Sequence, residues 1–337
     1  MSPGSDAAEQ RGCRLCGGPQ GRTVVRCNFN LTGRTARRYR VCECGRCGFR
    51  WVDPWPTEAE LAACYAADYP GYAGASRRQA AAVRSAARRS QQVARYRRRL
   101  LRTLGVGEVA GRRILDVGYG NGAFLLELAR QPFTEPWGLD ITSDCEAELR
   151  RQAPQVRLVR GTLADAELPA EAFDVVTLWH VLEHTADPVA ALRRVRDLLR
   201  PGGWVVAEVP NSAGLIARLC GSAWLGWDLP RHLVHFGPGT LRAVARRAGY
   251  EAVRVVRAYS LEPLSLSPLL ASLAMAGQRL RGRPRMKRVA YHRWDGPVRL
   301  GLAGVNLLER LLGGNGLVLL GHKRRRGGSA AGRPPAA

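Results

Sequence analysis

Nine residues, Ile114-Leu115-Asp116-Val117-Gly118-Tyr119-Gly120-Asn121-Gly122, restrict the fold of this 337-residue chain more than any others. An apolar run closes on an acid and opens into a loop with glycine at every second position. The pattern Ala123-Phe124-Leu125-Leu126-Glu127-Leu128 follows at once. The reading is strand, tight turn, helix. Glycine at such a junction lets the backbone pass close beneath a ligand, and the free amides of a helix start make a seat for a nucleotide-like molecule. Alone the loop is a weak signal, because dinucleotide sites and plain tight packing use similar turns.

The order of the segments that follow narrows the choice. Trp137-Gly138-Leu139-Asp140 reads as a second strand whose terminal carboxylate can accept both hydroxyl protons of a ribose. Phe173-Asp174-Val175-Val176-Thr177-Leu178-Trp179-His180 is a third buried strand. Leu198 to Pro210 reads as a helix end, a Pro-Gly-Gly turn and a further strand, and a last strand falls near Gly316 to Lys323. Together these resemble the class I S-adenosylmethionine-dependent methyltransferases, whose loop has the form Asp-x-Gly-x-Gly-x-Gly, over roughly residues 106 to 260. The resemblance implies an α/β, Rossmann-like seven-stranded sheet. It also implies that Gly118, Gly120 and Gly122 cradle the methionine portion, that Asp116 shapes the loop and approaches the amino group, and that Asp140 takes the ribose. Leu163 and Trp179 would complete the cofactor-binding set. Where many members carry an acid for the adenine edge, this chain reads Gly161-Thr162-Leu163-Ala164-Asp165, and Thr162 stands near that place. A doubly wound domain that has lost its ligand is the bland alternative.

At the amino-terminal end, Cys13-x-x-Cys16 and Cys44-x-x-Cys47 are two matched pairs, each followed by glycine. Four thiolates so spaced can surround a zinc ion as a closed, structural site. Cys27 and Cys42 could compete as ligands, though neither belongs to such a pair, and a redox dithiol is the rival functional reading. With Phe49-Arg50-Trp51-Val52-Asp53-Pro54 and then Tyr65, Tyr69 and Tyr72, this front resembles a bacterial group of methyltransferases that carry an N-terminal zinc-binding module. Some members methylate nucleotide-linked deoxysugars at carbon. The resemblance makes the three tyrosines candidates for enclosing substrate, with an aromatic packing stripe as the alternative.

Two histidine groups supply candidates for chemistry. His180-Val181-Leu182-Glu183-His184 has the wording of the inverted zinc peptidases, but it follows a buried strand within the methyltransferase order. The resemblance there implies Trp179 and His180 at the cofactor and acceptor mouth, with Glu183 and His184 orienting the turn toward the helix start at Asp187-Pro188. The second group, Trp227 to Phe236, contains Pro230-Arg231-His232-Leu233-Val234-His235-Phe236 and matches the Pro-x-His-x-x-His-Phe wording of the resembled family. Methyl transfer is a direct displacement, so the nucleophile must be held in line and a proton removed when a hydroxyl or activated carbon accepts. Imidazole titrates near neutrality. His232 is the preferred base, with His235 and His180 as the other catalytic candidates; a capping or buttressing role is the alternative for each.

Charge bears on partners. The net charge is +24, and all but two of the 52 basic residues, Lys287 and Lys323, are arginine. Solvated arginines spread over helix faces are the preferred reading, and the connector helix has no aromatic interleaving beyond Tyr96, so nucleic acid is not an expected partner despite the favourable field. The expected layout is a zinc-binding module over 1–56, a helical connector over 57–105, and the methyltransferase domain over 106–323 with a helical insertion at 262–314. A disordered tail over 324–337 ends the chain. Within the connector, Ser76 to Leu104 lacks proline and interior glycine and predicts one long helix. The polar start from Met1 to Gly12 and the short apolar stretch Pro263 to Gly277, below the ~20 residues of a bilayer span, predict a cytoplasmic protein. The basic patch Arg279 to Arg293 allows at most a peripheral membrane contact. The expected activity is S-adenosylmethionine-dependent methyl transfer to a small-molecule acceptor, such as a sugar nucleotide or secondary metabolite, with zinc as a structural cofactor. An RNA or protein methyltransferase and a non-catalytic zinc scaffold are the alternatives.

Overall fold

Alternation of buried apolar runs with glycine breaks lays out the secondary structure of the computed structural model, which describes residues 12–27, 37–64, 80–142, 145–258 and 316–324. In chain order these are β1 (Gln20–Cys27), β2 (Tyr39–Cys44), β3 (Arg50–Asp53), α1 (Glu58–Cys64), α2 (Ala80–Thr103), β4 (Arg113–Val117), α3 (Ala123–Ala129), β5 (Glu135–Asp140), α4 (Glu146–Gln152) and β6 (Arg157–Arg160). Then come β7 (Phe173–Trp179), α5 (Pro188–Leu198), β8 (Leu199–Pro210), α6 (Leu215–Cys220), β9 (Val234–His235), α7 (Pro238–Arg247), β10 (Ala252–Ala258) and β11 (Gly316–His322).

Seven strands form one sheet in the order β10-β11-β8-β7-β4-β5-β6. The run from β8 to β6 is parallel, whereas β11 pairs antiparallel with both β8 and β10. This mixed sheet with its helices fits a Rossmann-like class I methyltransferase fold. Every residue of β7 is buried, as expected of a central parallel strand covered on both faces. Chain order reverses between β4 and β7, and in open α/β sheets ligands bind beyond the carboxyl ends of the strands at such a switch point. The glycine loop leaves β4 there, Asp140 ends β5 there, and His180 follows β7 there.

The Pro-Gly-Gly turn expected before the fourth strand is absorbed into β8. Its register with β7 shifts between Phe173 and Val175, and Gly202 sits at a φ of 86°. Lys323 supplies the reason: its amide donates to the Gly203 carbonyl at 2.9 Å, and its carbonyl accepts from Gly202 at 2.9 Å. The turn therefore persists as a bulge inside β8, and the end of β11 holds it in place.

The amino-terminal segment is built into the larger domain. Its sheet runs β1-β2-β3-β9, and β9 comes from the connection between β8 and α7. Arg50 pairs with His235 and Trp51 with Val234. Phe49 meets Phe236 edge-on at 6.2 Å, and Val41, Trp51, Leu178 and Phe236 belong to one continuous core. Helix α2 packs on α3 through Leu101, Phe124 and Leu128, reinforced by the Arg98–Glu127 ion pair at 2.8 Å. Ser76 to Gln79, the three tyrosines Tyr65, Tyr69 and Tyr72, the insertion 262–314 and the tail beyond 324 lie outside the described residues. Among the described residues no helix is long and apolar enough to cross a membrane.

Candidate functional site

The three glycines of the loop have three different surroundings. All are left-handed, with φ of 66°, 55° and 72° at Gly118, Gly120 and Gly122, a conformation that L side chains adopt only with strain. A Cβ on Gly118 would meet Val181 at 2.6 Å, and one on Gly122 would meet Leu149 of α4 at 2.5 Å. Gly120 alone has open space where a Cβ would point. Gly118 and Gly122 therefore hold the loop down on its neighbours, and Gly120 presents bare backbone outward. For Gly122 this differs from a simple cradle role: its missing side chain makes room for α4.

Asp140 ties the loop to β5. Its Oδ2 accepts from the Gly120 amide at 2.9 Å, and its Oδ1 accepts from the Thr142 amide and hydroxyl at 3.0 and 3.2 Å. Each carboxylate oxygen keeps acceptor capacity for a further donor. The Cys145 thiol donates to the Gly120 carbonyl at 3.0 Å, and Asn121 reaches Ser90 of α2 at 2.9 Å. Beneath the loop Asp116 is buried and accepts from the Thr177 hydroxyl at 2.6 Å. Burial pushes its carboxyl up to about 7, against the lowering effects of Thr177 and of the Arg97 charge. Trp179, also buried, meets Phe124 edge-on at 5.6 Å, and the Arg97 guanidinium lies 4.9 Å from its ring centre. Leu163 is buried at the turn after β6. There Asp165 Oδ1 accepts from the Thr162 amide and hydroxyl at 2.5 and 2.9 Å, so both residues serve to close that turn. Thr177 and Arg97 escaped sequence reasoning; a hydroxyl inside an otherwise apolar strand, opposite the acid of the glycine loop, was the available signal for the first.

The four paired cysteines converge. Their sulfurs all lie within 4.8 Å of one another, with Cys13–Cys47 and Cys16–Cys44 each at 3.5 Å. Tetrahedral bonds of about 2.3 Å would set thiolates roughly 3.8 Å apart, so the donor set fits a zinc ion. The two pairs are built alike. Gly17 and Gly48 are left-handed at φ of 67° and 70°, and their amides donate to the Cys13 and Cys44 carbonyls at 2.8 and 3.0 Å. Amides of Leu15, Gly18, Arg46 and Cys47 point at Cys13, Cys16 and again Cys44 at 3.3–3.4 Å. Cys42 is buried two residues before Cys44 and is not part of the converging group; the side chain of Cys27 lies outside the described residues.

The four histidines of the two motifs separate into one at the surface and three turned inward; His322 of β11 lies apart from them, against Trp204. His180 sits at φ 57° with its side chain 45% exposed, its Nδ1 donating to Glu183 Oε1 at 3.2 Å. Burial would lower this imidazole, but Glu183, by hydrogen bond and charge, and Glu208 outweigh it and push it up to about 9. His184 donates from Nδ1 to the Arg231 carbonyl at 2.9 Å, and burial and the nearby His232 push its imidazole down to about 4. His232, the expected base, is turned inward. Its side chain is 11% exposed, its Nδ1 donates to the Gly226 carbonyl at 2.9 Å, and its ring stands 4.7 Å from that of His184. His235 is buried in β9 against Trp227 at 5.1 Å, where burial drives its basicity far down. Leu182 to His184 form a single 3-10 turn, followed by α5 with Asp187 as its cap, accepting from the Val189 and Ala190 amides at 2.9 Å.

Comparison with known proteins agrees with this architecture. A family model described as a methyltransferase domain matches residues 86–255, half of the chain. The ubiquinone biosynthesis O-methyltransferase of Bordetella avium is 33% identical over 156 residues, covering 43% of this chain and 64% of that protein. The protein of that name from Cereibacter sphaeroides is 33% identical over 153 residues, covering 42% and 62%. The chain thus matches less than two thirds of the length of these relatives. Among solved structures, a SAM dependent methyltransferase from Archaeoglobus fulgidus aligns with a TM-score of 0.44 at 22% identity, over 70% of this chain and 94% of that one. With its matching domain model and its seven-stranded sheet, the chain belongs to the family of S-adenosylmethionine-dependent methyltransferases.

Proposed function

We propose that the chain transfers a methyl group from S-adenosylmethionine to a small-molecule acceptor of the sugar-nucleotide or secondary-metabolite class. The observation that carries this reading is the meeting, at the switch point of the sheet, of the bare backbone of Gly120 with the carboxylate of Asp140 at 2.9 Å. Gly118, Gly120 and Gly122 shape the seat for the methionine portion, Asp116 takes the amino group through hydrogen bonds, and Asp140 accepts from the ribose hydroxyls. Leu163 and Trp179 form apolar walls. Bound cofactor supplies an electrophilic methyl group on a sulfonium, so the protein's task is to align a nucleophile and shield it from water. We assign acceptor contact to His180 ahead of His232 and His235. Its side chain is 45% exposed against 11% for His232, and a buried imidazole cannot reach an acceptor without the loop opening. Similarity to relatives named as O-methyltransferases favours an oxygen nucleophile.

We assign a structural zinc ion to Cys13, Cys16, Cys44 and Cys47, whose closed tetrahedral set leaves no position for a substrate. Its task is to fold β1 to β3 and so present the strand that pairs with β9. The activity is tested by incubating zinc-loaded protein with methyl-deuterated S-adenosylmethionine and a panel of sugar nucleotides and phenols. A deuteromethylated product lost in Asp140→Ala and His180→Ala supports the assignment. Transfer to RNA alone, or turnover unaltered in both variants, would overturn it.

A further inference from the structure

Beneath His180 lies a second convergence of ligand atoms, away from the cysteines and assembled from two distant segments. The 3-10 turn after β7 brings Glu183 and His184, and the connection before β9 brings Asp228 and His232. One carboxylate oxygen of Glu183 and one ring nitrogen from each of His184 and His232 lie mutually within 4.8 Å. His232 Nε2 is also 3.7 Å from Asp228 Oδ2. We propose that Glu183, His184 and His232 hold a divalent first-row metal ion such as zinc(II).

Three observations support the assignment. The first is the state of the imidazoles. A backbone carbonyl only accepts, so the contacts of His184 Nδ1 with the Arg231 carbonyl and of His232 Nδ1 with the Gly226 carbonyl, both 2.9 Å, fix the proton on Nδ1. Each Nε2 is then the lone-pair nitrogen, and a carbonyl on the opposite ring nitrogen is the usual outer support of a metal-bound histidine. The second is Glu183, whose side chain is 1% exposed. Its Oε1 is engaged by His180, but its buried Oε2 has no hydrogen-bond partner, and neither has the buried Oδ1 of Asp228. Buried carboxylate oxygens are costly to leave unpaired, and a cation among them removes that cost. The third is the donor set: two imidazoles and one carboxylate without thiolate suit zinc, manganese, iron(II) or cobalt(II) better than calcium or magnesium.

Such an ion would join the exit of β7 to the connection that runs into β9. That connection is already held at three points: the Leu233 amide donates to the Glu183 carbonyl at 2.9 Å, His184 Nδ1 donates to the Arg231 carbonyl at 2.9 Å, and β9 pairs with β3. Buried beneath the loop and held by three protein donors, the ion would act on catalysis by fixing the floor on which Glu183 orients His180.

The full-length chain is loaded with cobalt(II) and with zinc(II), dialysed, and measured for metal per chain by mass spectrometry and for visible absorption. Two ions per chain are expected in the wild type. The first cobalt equivalent bound at the cysteines gives an intense thiolate-to-cobalt band; the equivalent bound by Glu183, His184 and His232 adds only weak ligand-field absorption. His232→Asn and Glu183→Gln should each lose that second equivalent and keep the thiolate band, whereas Cys13→Ser with Cys16→Ser should lose the band and keep the ligand-field absorption. A folded wild type that takes up metal only at the thiolates overturns the proposal, a result that needs no variant. Retention of the second equivalent in folded His184→Asn, His232→Asn double variant also overturns it.

Discussion

The cysteine knuckles and the glycine loop both aim backbone amides from left-handed glycine turns, yet they rest on opposite kinds of support. In the knuckles the amides of Leu15, Gly18, Arg46 and Cys47 point at the sulfurs of three of the four cysteines. In the glycine loop the Gly120 amide meets a carboxylate of the domain itself, and Gly118 and Gly122 are pinned by Val181 and Leu149. On the zinc assignment proposed above, the first takes its local order from an ion and the second from the packing of the domain core. Metal removal should therefore dissolve the first and spare the second, while small changes in packing should harm the second and spare the first.

The largest effect tests the dependence on metal. Structural zinc in small modules contributes about 10–16 kcal/mol of apparent binding free energy. Strong chelation, or Cys44→Ser, should speed amide exchange across β1, β2 and β3 by orders of magnitude while β4, β5 and β7 stay protected. Equal protection with and without metal would mean that pairing with β9 and the shared core suffice. Next in size, Gly122→Ala drives a Cβ to 2.5 Å from Leu149 at a φ of 72°. It should cost roughly 2–4 kcal/mol of stability by denaturant titration, the sum of overpacking and left-handed strain. Gly120→Ala meets open space, so it should cost only about 1–2 kcal/mol. Comparable losses at the two positions would contradict the distinction between packed and presenting glycines.

Asp140→Ala should weaken cofactor binding by about 10- to 100-fold, as expected for one or two hydrogen bonds to a charged group, and leave zinc content unchanged. A smaller effect follows from Asp116, whose carboxyl rises from an ordinary 3.8 to about 7 on burial. A raised acid favours the folded state fully below the unfolded value, and that contribution is lost as pH climbs through the folded one. Stability should thus decline from about pH 4 to pH 7 through this group, and Asp116→Asn should flatten the decline. Because the ionised carboxylate is the form that attracts an ammonium group, cofactor affinity should change in the opposite sense. It should fall up to about tenfold per pH unit below 7. Calorimetry in buffers of different ionisation enthalpy checks this through the proton released on binding.

What could be read from the sequence followed the range over which each feature is encoded. The two cysteine pairs are local patterns that spacing announces, and the glycine loop and the acid ending β5 become legible once the order of the segments is read with them. The histidines are different, because a residue in a connection takes its surroundings from whatever the topology brings beside it. His232 looked like a base by residue type, but β9 pairs with β3 and draws that connection inward. The same pairing joins the cysteine segment to the larger domain, which no local pattern in Cys13 to Asp53 could announce. The Pro-Gly-Gly turn was legible as a turn, but its pairing with Lys323 was not, because that partner lies more than a hundred residues away.

The most direct test of the central claim is calorimetric titration of zinc-loaded protein with S-adenosylmethionine and with its demethylated product. Micromolar binding of both, about −8 kcal/mol, is expected, with binding abolished in Gly120→Arg at unchanged zinc content. Folded, zinc-loaded protein that binds neither compound would contradict the account.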